Sequence, residues 1–173
     1  MAGHNEFLLV DGYNIINAWP NLKEISRDSL EDARDNLIEI LRDYQGYKGI
    51  KVIIVFDAHL IEGGTEVHEY YGDVEVVYTK EGEIADQYIE RWVSQMGRDY
   101  KVRVATSDYM EQTIVLSRGG TRMSARELYL EVKAVREQRD KRYRYASKED
   151  NNFLLDNVSE DVLEKLERMR RQR

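Results

Sequence analysis

Three apolar runs in this chain end in the same way. Glu6 to Val10 (EFLLV) runs into Asp11, Lys51 to Phe56 (KVIIVF) into Asp57, and Lys101 to Thr106 (KVRVAT) reaches Asp108 after Ser107. The first two are continuously apolar, as in strands covered by helices on both faces, and Val74 to Tyr78 (VEVVY) reads as another strand. Between them the period lengthens to that of a helix. Residues 28–45 place Leu30, Ala33, Leu37, Ile40, Leu41 and Tyr44 on one stripe, with Asp28 or Ser29 as N-cap and Gly46 as the stop. Residues 83–96 repeat the pattern with Ile84, Tyr88, Ile89, Trp92 and Met96, and a short helix is expected over 109–117. Residues 58–72 read as loop, with Gly63-Gly64 and at most a weak extended piece. Ser124 with Glu127 opens a helix to residue 138 in capping-box spacing, and a charged helix is expected over 159–171. This alternation predicts an α/β fold with a mostly parallel central sheet flanked by helices.

Composition narrows the chemistry. The chain has 173 residues, enough for one compact domain with a short appendage, and 42% of them are hydrophobic, enough for one core. It has no cysteine, which excludes disulfides, thiolate zinc sites and cysteine nucleophiles. The three histidines, His4, His59 and His68, are too scattered for a histidine-rich metal site, and His59 and His68 join no base and nucleophile pair. No apolar run approaches a membrane span and the start lacks a signal-peptide pattern, so a soluble cytoplasmic protein is expected. The net charge of −7 argues against nucleic-acid binding by bulk charge. It is unevenly spread, however: residues 133–173 hold 12 basic and 9 acidic residues, leaving 14 against 24 in residues 1–132. Apolar periodicity lapses over 139–152. The expected organisation is therefore a domain over 1–140 followed by a basic linker and C-terminal helix over 141–173.

In an open parallel sheet the carboxyl ends of neighbouring strands face one crevice, where ligands bind. Carboxylates converging there repel one another, and a divalent cation balances them. With oxygen donors only, the expected ion is Mg²⁺ or Mn²⁺. Glu83 and Asp86 share one helical face in the stretch Lys80-Glu81-Gly82-Glu83-Ile84-Ala85-Asp86; Asp86 sits among apolar neighbours, whereas Glu83 equally suits a first helical turn by its dipole alone. Each strand-end Asp, taken singly, also suits turn or cap chemistry: Asp11-Gly12 as a turn, Asp108 as an N-cap.

Val10-Asp11-Gly12-Tyr13-Asn14, Val55-Phe56-Asp57-Ala58, Ile84-Ala85-Asp86 and Thr106-Ser107-Asp108, in that order, resemble the NYN-domain nucleases, a branch of the PIN-like fold, and specifically the bacterial YacP-like subfamily. The resemblance covers about residues 5 to 140. It implies a three-layer PIN-like fold and a metal-dependent endoribonuclease acting on single-stranded RNA, in this branch on messenger RNA at the ribosome. Carried over by position, Asp11, Asp57, Asp86 and Asp108 match the acidic, metal-binding cluster and Asn14 the polar residue after the first acid; Glu83 matches less firmly. In such a site Asp11 would be the central ligand, and Asn14 would orient a water or a ribose hydroxyl, or simply serve the turn.

An acidic centre also needs cations to hold phosphate. Lys80, Arg118 and Arg122 lie in loops near the strand ends or next to Gly119-Gly120, whose backbone could approach a phosphate or merely end a helix. Lys141, Arg142 and Arg144, interleaved with Tyr143 and Tyr145, suit single-stranded RNA or, alternatively, a solvated helix end. A phosphatase with a nucleophilic Asp would want a second Asp two residues on, where Tyr13 stands. The other alternative is a catalytically silent RNA- or ribosome-binding module on the same scaffold.

Overall fold

The computed structural model describes residues 3–58, 64–156 and 160–171. In chain order the elements are β1 (Glu6–Asp11), α1 (Gly12–Ala18), α2 (Pro20–Asp28), α3 (Leu30–Lys48), β2 (Lys51–Phe56), β3 (Val67–Tyr71), β4 (Val74–Tyr78), α4 (Ala85–Met96), β5 (Lys101–Ala105), α5 (Tyr109–Ser117), β6 (Thr121–Met123), α6 (Ala125–Asp156) and α7 (Glu160–Arg171). Contacts group them into two compact units, Met1–Val135 and Arg136–Arg173, divided within α6.

The strands form one sheet in the order β3-β4-β2-β1-β5-β6, parallel except for β3, which pairs antiparallel with β4. Side chains alternate across it, which sorts the core into two layers. Leu8, Val10, Val52, Ile54 and Phe56 pack with α1, α2, α3 and the start of α6, whereas Leu9, Ile53, Val55, Val102 and Val104 pack with α4 and α5. Strand β1 lies at the centre, fully buried over Leu8, Leu9 and Val10; each such side chain contributes about 1.5–3 kcal/mol. The chain first builds outward from β1 through β2 to β4, then returns to place β5 on the other side. The topological switch point is therefore between β1 and β5, the place where α/β sheets open a crevice.

Several local expectations change in three dimensions. Periodicity assigns nothing to residues 12–27, which form α1 and α2, the latter with Pro20 at its start. The Trp19 indole between them donates to Ala125 O at 2.8 Å, securing the pair to α6. Helix α3 begins after Ser29, whose hydroxyl accepts from Asp32 N, and passes straight through Gly46. It stops at Gly49, whose φ of 66° is the left-handed conformation that ends helices. The segment expected to be loop contains β3, joined to β4 by the two-residue Gly72-Asp73 turn; Gly63 and His59 lie outside the described residues. The stretch 139–152 is helical, as part of α6: it holds no Gly or Pro and is rich in helix-forming Lys and Arg. The Ser124–Glu127 capping box forms in both directions.

At the opposite end of the sheet from the strand carboxyl termini, Arg103 on β5 pairs with Glu6 at 2.9 Å and with Glu131 at 3.2 Å, and Tyr44 donates to Glu131 at 2.6 Å. This polar knot joins β1, β5, α3 and α6. Gly12 is set by close approach instead: a Cβ there would stand 2.2 Å from the ring of buried Phe56. Because the ring is itself packed, Gly12→Ala is expected to cost about 1–3 kcal/mol by overpacking. Urea denaturation checks this: the midpoint falls while the slope stays unchanged, whereas an unaltered midpoint would mean that the ring moves aside freely.

Candidate active site

Strand alternation decides which way the acids point. Val10 faces the α1–α3 layer, so Asp11, the next residue, faces α4 and α5; Phe56 and Asp57 divide in the same way. Asp11 is buried at the junction where the strand leads directly into α1, and the backbone N–H of Asn14 in the first helical turn partly offsets the upward push on its carboxyl.

Two further acids reach the same point from helix starts. Asp86 occupies the first turn of α4 and is half-buried, and Glu111 occupies the first turn of α5 and is buried. One carboxylate oxygen from each of Asp11, Asp86 and Glu111 lies within 4.8 Å of the others. Sequence reasoning missed Glu111. Its signal was a carboxylate four residues before Val115 on the inward face of a short apolar helix, where an unpaired charge is costly.

Asp57 and Asp108 sit at the same sheet edge with different partners. Asp57 Oδ1 accepts the backbone N–H of Ala85 and so pins the start of α4 beside Asp86. Asp108 Oδ1 accepts from Met110 N at 2.8 Å and Glu111 N at 3.3 Å, capping α5 and setting Glu111 in place. Asn14 Oδ1 accepts from Ser107 N at 2.6 Å, tying α1 to the segment that follows β5. Glu83 is drawn elsewhere, to Arg91 at 3.1 Å.

The electrostatics are those of a repelling cluster. Burial, then the charge of Asp86, pushes the Asp11 carboxyl up to about 7. Burial, then the charge of Asp11, pushes Glu111 up to about 9. Asp86 is also raised, chiefly by burial, with Asp108 and Asp57 adding repulsion. Both Glu111 oxygens are buried without a hydrogen bond of ordinary geometry. Orphaned carboxylate oxygens facing two more carboxylates are the donor set of a hard divalent cation, so the residues present fit Mg²⁺ or Mn²⁺.

The expected cations are distributed unevenly. Lys80 is exposed just beyond β4, at the same sheet edge. Arg122 donates to Gln112 Oε1 at 3.1 Å, next in sequence to Glu111. Arg118 lies at the C-terminal end of α5, away from the acids, paired with Glu90 at 3.1 Å. Gly119-Gly120 is there too, packed against Gly97, Val93 and Val115, so it serves as a helix stop rather than a phosphate loop. Lys141, Arg142 and Arg144 are exposed on the second unit. His68 bridges Glu66 and Glu75, each at 2.6 Å, on the edge hairpin.

A family model described as "YacP-like NYN domain" matches residues 8–171. The chain belongs to the YacP-like NYN domain family. Its relatives include the "Uncharacterized protein YacP" of Bacillus subtilis (strain 168), 43% identical over 167 residues, which are 96% of this chain and 97% of the relative. The crystal structure of Rae1 (YacP) from Bacillus subtilis is similar over 95% of this chain and 94% of that one, with a TM-score of 0.72. A mutant form of that same relative is similar over 82% of each chain, with a TM-score of 0.70. The six-stranded, mostly parallel sheet between helical layers is thus the PIN-like fold of this family.

The raised carboxyls make stability depend on pH. Their ordinary values are 3.8 and 4.5, so between about pH 4 and pH 9 the folded metal-free protein holds more protons than the unfolded chain, and stability falls as pH rises. A cation replaces those protons and reverses the trend. Thermal melts in EDTA should show Tm falling from pH 5 to 8, less steeply in Glu111→Gln, and Mn²⁺ should raise Tm more at pH 8 than at pH 5.5. Identical pH profiles for the wild type and Glu111→Gln would show that Glu111 is not part of a repelling cluster.

Proposed function

We propose that this protein is a divalent-metal-dependent endoribonuclease that hydrolyses phosphodiester bonds in single-stranded RNA, its substrate being messenger RNA on the ribosome. The observation that carries the reading is the buried triad of Asp11, Asp86 and Glu111 at the switch point, supported by membership of the NYN family. Asp11, Asp86 and Glu111 would hold the ion. Bound Mg²⁺ or Mn²⁺ supplies a Lewis acid for the phosphoryl oxygen and makes a water more acidic. Asp57 and Asp108 hold the starts of α4 and α5 so that the triad meets with no reorganisation during the reaction. Asn14 fixes the segment before Asp108. Arg122 and Lys80 would hold flanking phosphates, a role supported by their position at the edge that carries the acids. On this reading the protein works in the cytoplasm, where ribosomes are. No helix among the described residues is long and apolar enough to cross a membrane.

The exposed Lys141, Arg142 and Arg144, with Tyr143 and Tyr145, suit RNA or ribosome contact by charge and stacking. This role concerns affinity and leaves the chemistry to the triad.

The test is purified protein with single-stranded RNA, with and without Mg²⁺ or Mn²⁺. Cleavage should need the ion, and Asp11→Asn should abolish it while leaving the melt unchanged or slightly raised, because one charge leaves a repelling cluster. Metal-independent cleavage, or normal cleavage by Asp11→Asn, would overturn the mechanism, and RNA binding without cleavage would identify a silent binding module.

Neutralising Lys141, Arg142 and Arg144 together should weaken binding and flatten its salt dependence by up to about 0.7 in log-log slope per lost contact. Turnover at saturating substrate should hold. A collapse of turnover with binding preserved would give this segment a different job.

A further inference from the structure

The residue after Asp11 leaves the acidic face of the sheet. Gly12 lies over the Phe56 ring, and α1 carries Tyr13 to the α1–α3 side of the same carboxyl edge. There the Tyr13 ring stands 5.0 Å from Phe56, and the Tyr78 ring stacks on Phe56 at 5.8 Å. Tyr13 and Tyr78 are half-buried. Beside them Arg34 of α3 donates Nη1 to Tyr13 Oη at 2.9 Å.

Arg34 differs from the other arginines of the first unit. Only Arg34 and Arg103 are half-buried there among the described residues, and Arg103 is neutralised by Glu6 and Glu131. Among the described residues, no carboxylate lies within ion-pair distance of Arg34, although the charge of Glu31, one turn earlier on α3, acts on it from farther away; its one hydrogen bond is to the Tyr13 hydroxyl. A partly desolvated guanidinium with no carboxylate paired to it favours an anion, and its free N–H groups form the planar fork that matches a phosphate. Because Tyr13 is two residues from Asp11, an extended RNA crossing the carboxyl edge would meet the triad on one face and Arg34 on the other.

We propose that Arg34, held in place by the Tyr13 hydroxyl, is a phosphate-binding subsite that takes a backbone phosphate of single-stranded RNA flanking the one cleaved. The proposal rests on the ribonuclease reading above. Arg34 sets the path of the strand and Tyr13 is its positioning residue.

The experiment compares wild type, Arg34→Gln, Arg34→Lys and Tyr13→Phe on one labelled single-stranded RNA in Mn²⁺, measuring KM and kcat at several salt concentrations, with thermal melts as the folding control. Loss of one charge-assisted phosphate contact predicts a rise of about tenfold in KM for Arg34→Gln with kcat retained, and a log-log salt slope smaller by about 0.7. Arg34→Lys should keep the slope but lose affinity, because an ammonium lacks the fork. Tyr13→Phe should raise KM a few-fold at unchanged slope, and it carries the same test should Arg34→Gln fail to fold. Inorganic phosphate at millimolar concentration should raise the wild-type KM more than that of Arg34→Gln. Wild-type KM and slope in Arg34→Gln, or a fall in kcat alone, would overturn the subsite while leaving the ribonuclease reading in place. If the wild type neither binds nor cleaves RNA, both readings fall together.

Discussion

Repulsion among three carboxylates that the fold forces together is the constraint around which this structure is arranged. Asp11, Asp86 and Glu111 come from a strand end and two helix starts, and none has a cationic partner among the described residues at the site. What offsets the repulsion without metal is backbone polarity. The N-terminal ends of α4 and α5 both point at the cluster, and the unsatisfied N–H groups of a helix start carry a partial positive charge. Asp57 and Asp108 fasten those two ends by accepting N–H groups of Ala85, Met110 and Glu111. The anchoring acids and the clustered acids are therefore different residues with complementary tasks.

The rest of the domain supplies rigidity where the site needs it. The central strand β1 is buried on both faces, so Asp11 projects from a fully packed part of the sheet. Asn14 ties α1 to the turn after β5, a bond that spans the switch point. At the far end, the Arg103, Glu131, Tyr44 and Glu6 knot adds directional contacts between the β1–β5 pair and helices α3 and α6, which otherwise pack on the sheet through apolar side chains. The polar groups of the body are thus concentrated at its two ends, with a continuous apolar layer on each sheet face between them.

Charge is sorted by face as well as by end. The acids occupy the α4–α5 side of the carboxyl edge, and Arg34, which no carboxylate pairs among the described residues, occupies the α1–α3 side, with Phe56 and the two tyrosines between. This sorting follows from the pleat: successive residues of β1 and β2 point to opposite layers, so a single strand end serves both.

Much of the fold was legible in the chain itself. Apolar runs of strand length, helical stripes between them and acids after three runs are local patterns, and local patterns survive folding when each segment buries its apolar side as its period demands. They determined the α/β class and the parallel sheet, and they singled out Asp11 and Asp86, two of the three acids that the fold brings together. What they did not determine depends on contacts between distant segments. Helices α1 and α2 are too short for a period to emerge, and they are held by Trp19 against α6. Strand β6 has three residues and exists only because β5 offers an edge. Gly46 and Gly49 are alike in one dimension, and the place where Ile50 must turn inward to start β2 decides which of them ends α3. Glu111 joined the cluster, and Asp108 became its anchor, because a hydrogen bond to a backbone N–H uses up one carboxylate while the next inward-facing one is left without a partner. That division of labour depends on which way α5 is rotated, and only packing against Val93 and the sheet sets the rotation.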